Sequence, residues 1–155
     1  MNDFQGVGRR FELSKIYLAD KSHVLIDDYG HHPTEILSTI LATQEKFPRK
    51  KICMIFEPHR YSRTQQLFDD FVKVLSKVDC LLLLDIYPAS EKPIRGISSK
   101  KIASQISKNH KNVHYLGSQD PIDWLQKNHQ YFSILITQGA GTISKLNNEI
   151  KKKWQ

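Results

Sequence analysis

Short apolar runs alternate along this chain with stretches whose apolar side chains recur at three- and four-residue spacing. Residues 23–27 (HVLID) form one run, ending in a carboxylate. Residues 33–47 then place Ile36, Leu37, Ile40, Leu41 and Phe47 on one side of a predicted helix. Residues 51–56 hold the unbroken run ICMIF, suited to a strand buried on both faces. The clearest helical spacing spans 62–78, through Leu67, Phe68, Phe71, Val72 and Leu75, with Ser62 and Gln65 placed for a capping box. Residues 80–86 (CLLLLDI) predict another doubly buried strand, and a loop rich in Pro, Ser and Gly follows over 87–98.

The second half repeats the pattern more weakly. Ile102, Ala103 and Ile106 mark a helix, residues 113–116 a short strand, and Asp120-Pro121 a helix start with a capping carboxylate. Residues 132–137 (FSILIT) predict the last strand. Gly139-Ala140-Gly141 then leads into a closing helix with Ile143, Leu146, Ile150 and Trp154 on one face. Residues 11–19 alternate through Phe11, Leu13, Ile16 and Leu18 and add a candidate edge strand. Strands separated by helices of this length predict an α/β domain with a mostly parallel sheet and helices on both faces.

Bulk properties change this picture little. The 155 residues fit one domain and can bury a core without staples. No apolar run approaches the roughly 18 residues needed to span a bilayer, and the first residues are not a secretory signal. Cys53 and Cys80 sit inside predicted strands, a pattern that suits buried free thiols in a reducing cytosol. The net charge of +7 comes largely from scattered lysines and the run Lys151-Lys152-Lys153. No RNA-reading motif accompanies it, so a solvated basic surface is expected rather than a nucleic-acid or membrane partner.

Candidate chemistry gathers at strand ends, where open α/β sheets bind ligands. DDYGHHP follows one predicted strand and EPHRYSRT the next, and neighbouring strands would bring the two together as one anion site. Asp28 could accept from ribose hydroxyls, or it could cap the coming helix; Asp27 reads as a cap or an arginine partner. Arg60 and Arg63 lie three apart at a helix start and present guanidinium forks suited to carboxylate or phosphate. The other reading pairs them with Glu57, Asp69 or Asp70. His31 suits contact with substrate; with His32 and His59 it lacks the spacing of a protein-only metal site. Gly139 and Gly141 read as packing or turn residues. The chain has no GxxxxGK[ST] phosphate cradle and no GxGxxG after its first strand.

Five motifs in order make the chain recognisable: GVGRRFE at 6–12, DDYGHHPTE at 27–35, EPHRYSRT at 57–64, IYPASEKPI at 86–94 and QGAG at 138–141. Together they resemble the C-terminal domain of the Mur ligase family, a Rossmann-like three-layer domain, over essentially the whole chain. HRYSRT and YPASE are most similar to the branch that adds L-alanine to UDP-N-acetylmuramate. Thr142, where Asn or Asp is expected after the GAG turn, is a minor departure.

The resemblance implies a cytoplasmic, ATP- and magnesium-dependent ligase of peptidoglycan precursor synthesis, which activates the lactyl carboxylate as an acyl phosphate for attack by the amine of L-alanine. It implies nucleotide contact at Arg10 and Asp28. It implies that Tyr29, His31, Arg60 and Arg63 line the amino acid and the reacting carboxylate. It also implies an N-terminal UDP-sugar domain and a central domain with the P-loop and magnesium ligands, neither of which lies in residues 1–155. The expectation is therefore one C-terminal domain that is inactive alone. The rival reading is a stand-alone module that senses a nucleotide or an anionic metabolite without catalysis.

Overall fold

The computed structural model describes residues 9–155, so Gly6, Val7 and Gly8 of the first motif lie outside the described residues. Strand β1 (Glu12–Leu18) turns through Ala19 and Asp20, at φ 50° and 66°, into β2 (Lys21–Asp28). Positive φ at both turn residues matches the right-handed twist of the antiparallel pair they join. Helix α1 (Pro33–Lys46) follows, then β3 (Ile52–Phe56), α2 (Tyr61–Gln66), α3 (Phe68–Leu75) and β4 (Cys80–Leu84). The second half comprises α4 (Ser99–Ser107), β5 (Val113–Gly117), α5 (Pro121–Asn128), β6 (Ile134–Gln138) and α6 (Ile143–Trp154).

The sheet runs in the order β1-β2-β6-β3-β4-β5, parallel except for the β1–β2 pair. Period-two alternation divides each central strand between two cores. Ile52, Met54, Phe56, Leu81, Leu83, Ile134 and Ile136 face α1, α3 and α4, through Ile36, Ile40, Phe71, Leu75 and Ile102. Cys53, Ile55, Cys80, Leu82 and Leu135 face α5 and α6, through Leu125, Ile143, Leu146 and Ile150. This is the three-layer α/β architecture that the alternation of strands and helices predicts.

Three expectations are corrected. The strands that end in the Asp28 and Glu57 loops are not neighbours, because β6 inserts between β2 and β3 and pairs with both. The chain places β6 there by returning over the second face after β5, so the central strand of the site is the last one made.

The helix expected over 62–78 is two helices that part at Leu67, whose φ and ψ are −114° and 24°. The i→i−4 ladder survives the break, since Leu67 N donates to Arg63 O at 3.0 Å and Phe71 N to Leu67 O at 2.9 Å. Thr64 Oγ1 also donates back to Arg60 O at 2.8 Å, the kind of side-chain bond that bends helices. Nor do Ser62 and Gln65 cap the start. Arg60 is the N-cap residue, at φ 77°, and makes no side-chain cap.

Candidate functional site at the ends of β2, β6 and β3

The loops after β2 and β3 leave toward α1 and α2, whereas the loop after β6 leaves toward α6 on the opposite face. Connections that diverge in this way open a crevice at the carboxyl ends of the strands.

Asp28 closes β2 and is buried, 4% exposed. Its Oδ1 accepts from Phe11 N at 2.8 Å, and its Oδ2 accepts from Gly30 N at 2.9 Å and Gln138 Nε2 at 2.8 Å. Gln138 Nε2 also donates to Gly30 O at 2.8 Å, so the end of β6 staples the Asp28 loop. Gly30 is required here, because a Cβ would stand 2.8 Å from Asp28 Oδ2 and from Glu35 Cβ. Asp28 borders a cleft of about 310 Å³ with Arg10, Thr34, Glu35 and Ser38. Arg10 is half-exposed, donates to Glu35 Oε2 at 2.8 Å and lies 5.8 Å from the Tyr29 ring centre.

The neighbouring acid does different work. Asp27 takes a two-pronged contact from Arg9, with Nε and Nη2 each at 2.9 Å, and Arg9 Nη2 also donates to Gly139 O at 3.0 Å. Asp27 is therefore an arginine partner, one of the two roles its position predicts. Neither aspartate caps α1. That role falls to His32, whose Nδ1 accepts from Thr34 N at 3.3 Å while Glu35 Oε1 accepts from His32 N at 3.1 Å. The signal was present in the sequence as a Glu three residues after the cap, followed by apolar spacing.

Across the crevice, the His31 and His59 rings approach to 5.3 Å, with Tyr29 5.5 Å from His31 and Tyr87 stacked on His59 at 5.5 Å. Arg63 Nη1 donates to His59 Nδ1 at 3.1 Å and to His59 O at 3.2 Å. A guanidinium has no acceptor, so Nδ1 of His59 carries the lone pair and its ring proton sits on Nε2. Burial, then the positive charge of Arg63, holds His31 below its ordinary range; burial, His31 and Arg63 do the same for His59. The cluster is thus two neutral imidazoles beside permanent guanidinium charge. Arg60 is exposed at its edge. Tyr29, His31, Arg60 and Arg63 are brought to one mouth of the crevice, and Arg10 and Asp28 to the adjoining cleft.

Three contributors were not read from sequence as part of this site. Gln138 orients Asp28 from 110 residues away. Glu91, in the loop after β4, accepts from Ser62 N at 3.0 Å and from Ser62 Oγ, so it caps α2 from outside the helix. The Ser62 hydroxyl and amide hold Glu91 below the usual carboxylate range. The same loop accepts Arg60 N at Tyr87 O, 2.8 Å away, and returns Tyr87 N to Pro58 O at 2.8 Å. Glu57, weighed as a partner for the arginines, instead turns toward α6, accepting from Thr142 Oγ1 at 2.6 Å and Ile143 N at 3.1 Å. Burial pushes its carboxyl up, against those two bonds. Gly139 and Gly141 let β6 and α6 pass this close, since a Cβ on Gly141 would stand 2.6 Å from Glu57 Oε1. Beyond Glu57, a second cleft of about 540 Å³ opens between Tyr87, Asp120 and Leu146.

The family model for the glutamate ligase domain of Mur ligases matches residues 9–141. Among solved structures, the UDP-N-acetylmuramate-alanine ligase of Thermotoga maritima superposes with a TM-score of 0.71 at 24% identity, over 97% of this chain and 31% of that one. A murein peptide ligase from Psychrobacter arcticus gives 0.72 at 17% identity, over 94% of this chain and 29% of that one. Folylpolyglutamate synthase of Thermotoga maritima gives 0.64 at 12% identity, over 93% and 30%. This chain spans less than a third of the length of each. The identities are low enough that these likenesses show the fold alone. The family match covers most of the chain, and with it the crevice just described: the chain belongs to the Mur ligase family through its glutamate ligase domain.

Proposed function

We propose that this chain is the amino-acid- and nucleotide-contacting domain of an ATP-dependent ligase that joins L-alanine to UDP-N-acetylmuramate in peptidoglycan precursor synthesis, and that it is inactive by itself. The observation that carries this reading is the convergence of the Asp28 cleft and the His31–His59–Arg63 cluster on the ends of β2, β6 and β3. The resemblance of EPHRYSRT and IYPASEKPI to the L-alanine branch supports that substrate over those of its relatives.

The residues fit the groups this activity needs. Asp28 Oδ1 accepts one hydrogen bond where Oδ2 accepts two, and the cleft beside it offers the Thr34 and Ser38 hydroxyls and the Arg10 guanidinium. Asp28 and Arg10 would hold the ribose and its surroundings. ATP supplies the phosphoryl group that activates the sugar's carboxylate, with magnesium held mainly outside this chain. Arg63 and Arg60 pair with the carboxylate of L-alanine and the reacting carboxylate, a use for which paired guanidinium donors are suited. Tyr29 and His31 complete the wall. His31 and His59 stay neutral beside the arginines, so they add no charge that competes for the anions. The domain's contribution is orientation and charge stabilisation once water is excluded.

Arg63→Ala in the complete ligase tests the assignment. Loss of a charge-assisted contact predicts a rise in KM for L-alanine, or a fall in turnover, of about tenfold or more. Kinetics near those of the parent enzyme would remove Arg63 from the amino-acid site.

A further inference from the structure

The opposite end of the sheet carries chemistry that the ligase reading does not use. Cys53 of β3 and Cys80 of β4 are direct partners in the parallel register, so both side chains leave the sheet on the α5/α6 face. Paired residues on neighbouring strands stand about 4.8 Å apart, and a disulfide spans Cα separations of about 4.4–6.8 Å. Both thiols are free. Cys53 is fully enclosed, whereas Cys80 is 8% exposed and lines a cavity of about 500 Å³ with His114, Trp124, Asn128 and Tyr131.

The two sulfurs are not equivalent. Burial, reinforced by Cys80, pushes the Cys53 thiol up. Cys80, the member that lines the cavity, is the one a small oxidant reaches first. The pair therefore has one thiol on the cavity side and an enclosed partner directly beside it.

We propose that Cys53 and Cys80 form a peroxide-reactive dithiol in which Cys80 attacks from the cavity and Cys53 resolves the product into a disulfide joining β3 to β4. The Cys80 thiolate attacks one peroxide oxygen, the O–O bond breaks, and hydroxide leaves to take up a proton as water. Cys80 is then a sulfenic acid. The Cys53 sulfur attacks the Cys80 sulfur, the S–O bond breaks, and the hydroxyl departs as water with the Cys53 proton. Two thiols are oxidised by two electrons and one peroxide is reduced to two waters. The cross-link would tie together the strands whose other ends carry His59 and Tyr87, which already form an isolated bridge.

The test treats the folded chain with hydrogen peroxide, then uses intact mass and non-reducing peptide mapping. Expected is a single product lighter by two hydrogens, with a Cys53–Cys80 linkage that a dithiol reductant reverses. Cys53→Ser should leave a dimedone-reactive sulfenic acid on Cys80, and Cys80→Ser should leave Cys53 unmodified. The mapping of the parent chain decides even if a variant fails to fold. Thiols that survive peroxide sufficient to oxidise glutathione, or products linked only between chains, overturn the proposal.

Discussion

Asp28 shows how closely structure and function share one side chain. Phe11 N, Gly30 N and Gln138 Nε2 all donate to it, and it lines the Arg10 cleft. Asp28→Asn keeps the shape but sets its NH2 against the donor at Oδ1 or the two donors at Oδ2. Leaving such groups unpaired in a buried site costs about 1–3 kcal/mol. We expect the denaturant midpoint of the chain to fall accordingly, and the KM for ATP of the complete ligase to rise. An unchanged midpoint would mean that the Asp28 contacts are not formed in solution. The histidines give a second prediction. His31 and His59 have folded pKa values below their unfolded ones, so the unfolded chain binds the extra protons. Their stabilising effect is complete above about pH 6.5 and is lost as pH falls below it. A His31→Gln/His59→Gln variant should lose less stability than the parent between about pH 6.5 and pH 5 in parallel urea titrations. Equal losses would contradict the assignment. Glu35, held low by the His31 and His32 amides against its own burial, loses its contribution only at more acid pH. In the sequence, Arg60, Arg63 and Asp28 were legible as candidates because each stands beside a strand or helix terminus. Gln138 was not, because its role depends on β6 lying next to β2, a pairing between residues 110 apart.

At the scale of elements, the arginine loop depends on a loop from another strand. Glu91 occupies the amide and hydroxyl of Ser62, and Tyr87 O takes the Arg60 amide at a residue whose φ of 77° favours glycine. The motif around Tyr87 thus holds the motif around Arg63. Glu91→Ala should speed hydrogen exchange at the Ser62 amide by several-fold in the isolated chain and weaken use of L-alanine in the complete ligase. An unaltered exchange rate would show that Glu91 does not hold α2. Because Glu91 is held below its ordinary range, the contact should persist to lower pH than an unperturbed glutamate would allow and fail as pH falls through the folded value. Local spacing correctly indicated most helices and strands, since burial on a fixed period leaves its record in every few residues. It could not show the break at Leu67, where the Thr64 hydroxyl bonds back to Arg60 O, nor the capping of α2 by a residue 29 positions away.

For the molecule as a whole, the insertion of β6 between β2 and β3 decides where the site forms. It separates the two loops by one strand and supplies Gln138 and the Gly139–Gly141 turn that joins them. The crevice is lined by guanidinium groups, neutral imidazoles and a buried carboxylate, with no phosphate cradle among the described residues. We expect it to act only against a second surface that brings the phosphoryl chemistry. The measurement that tests this most directly is amino-acid-dependent ADP formation by this chain joined to the N-terminal and central domains of a Mur ligase, with UDP-N-acetylmuramate as acceptor. The account predicts ADP formation that requires L-alanine, that is absent from either part alone, and that falls about tenfold or more with Arg63→Ala. Turnover by the isolated chain, or a joined enzyme that is indifferent to L-alanine and to Arg63, would contradict it.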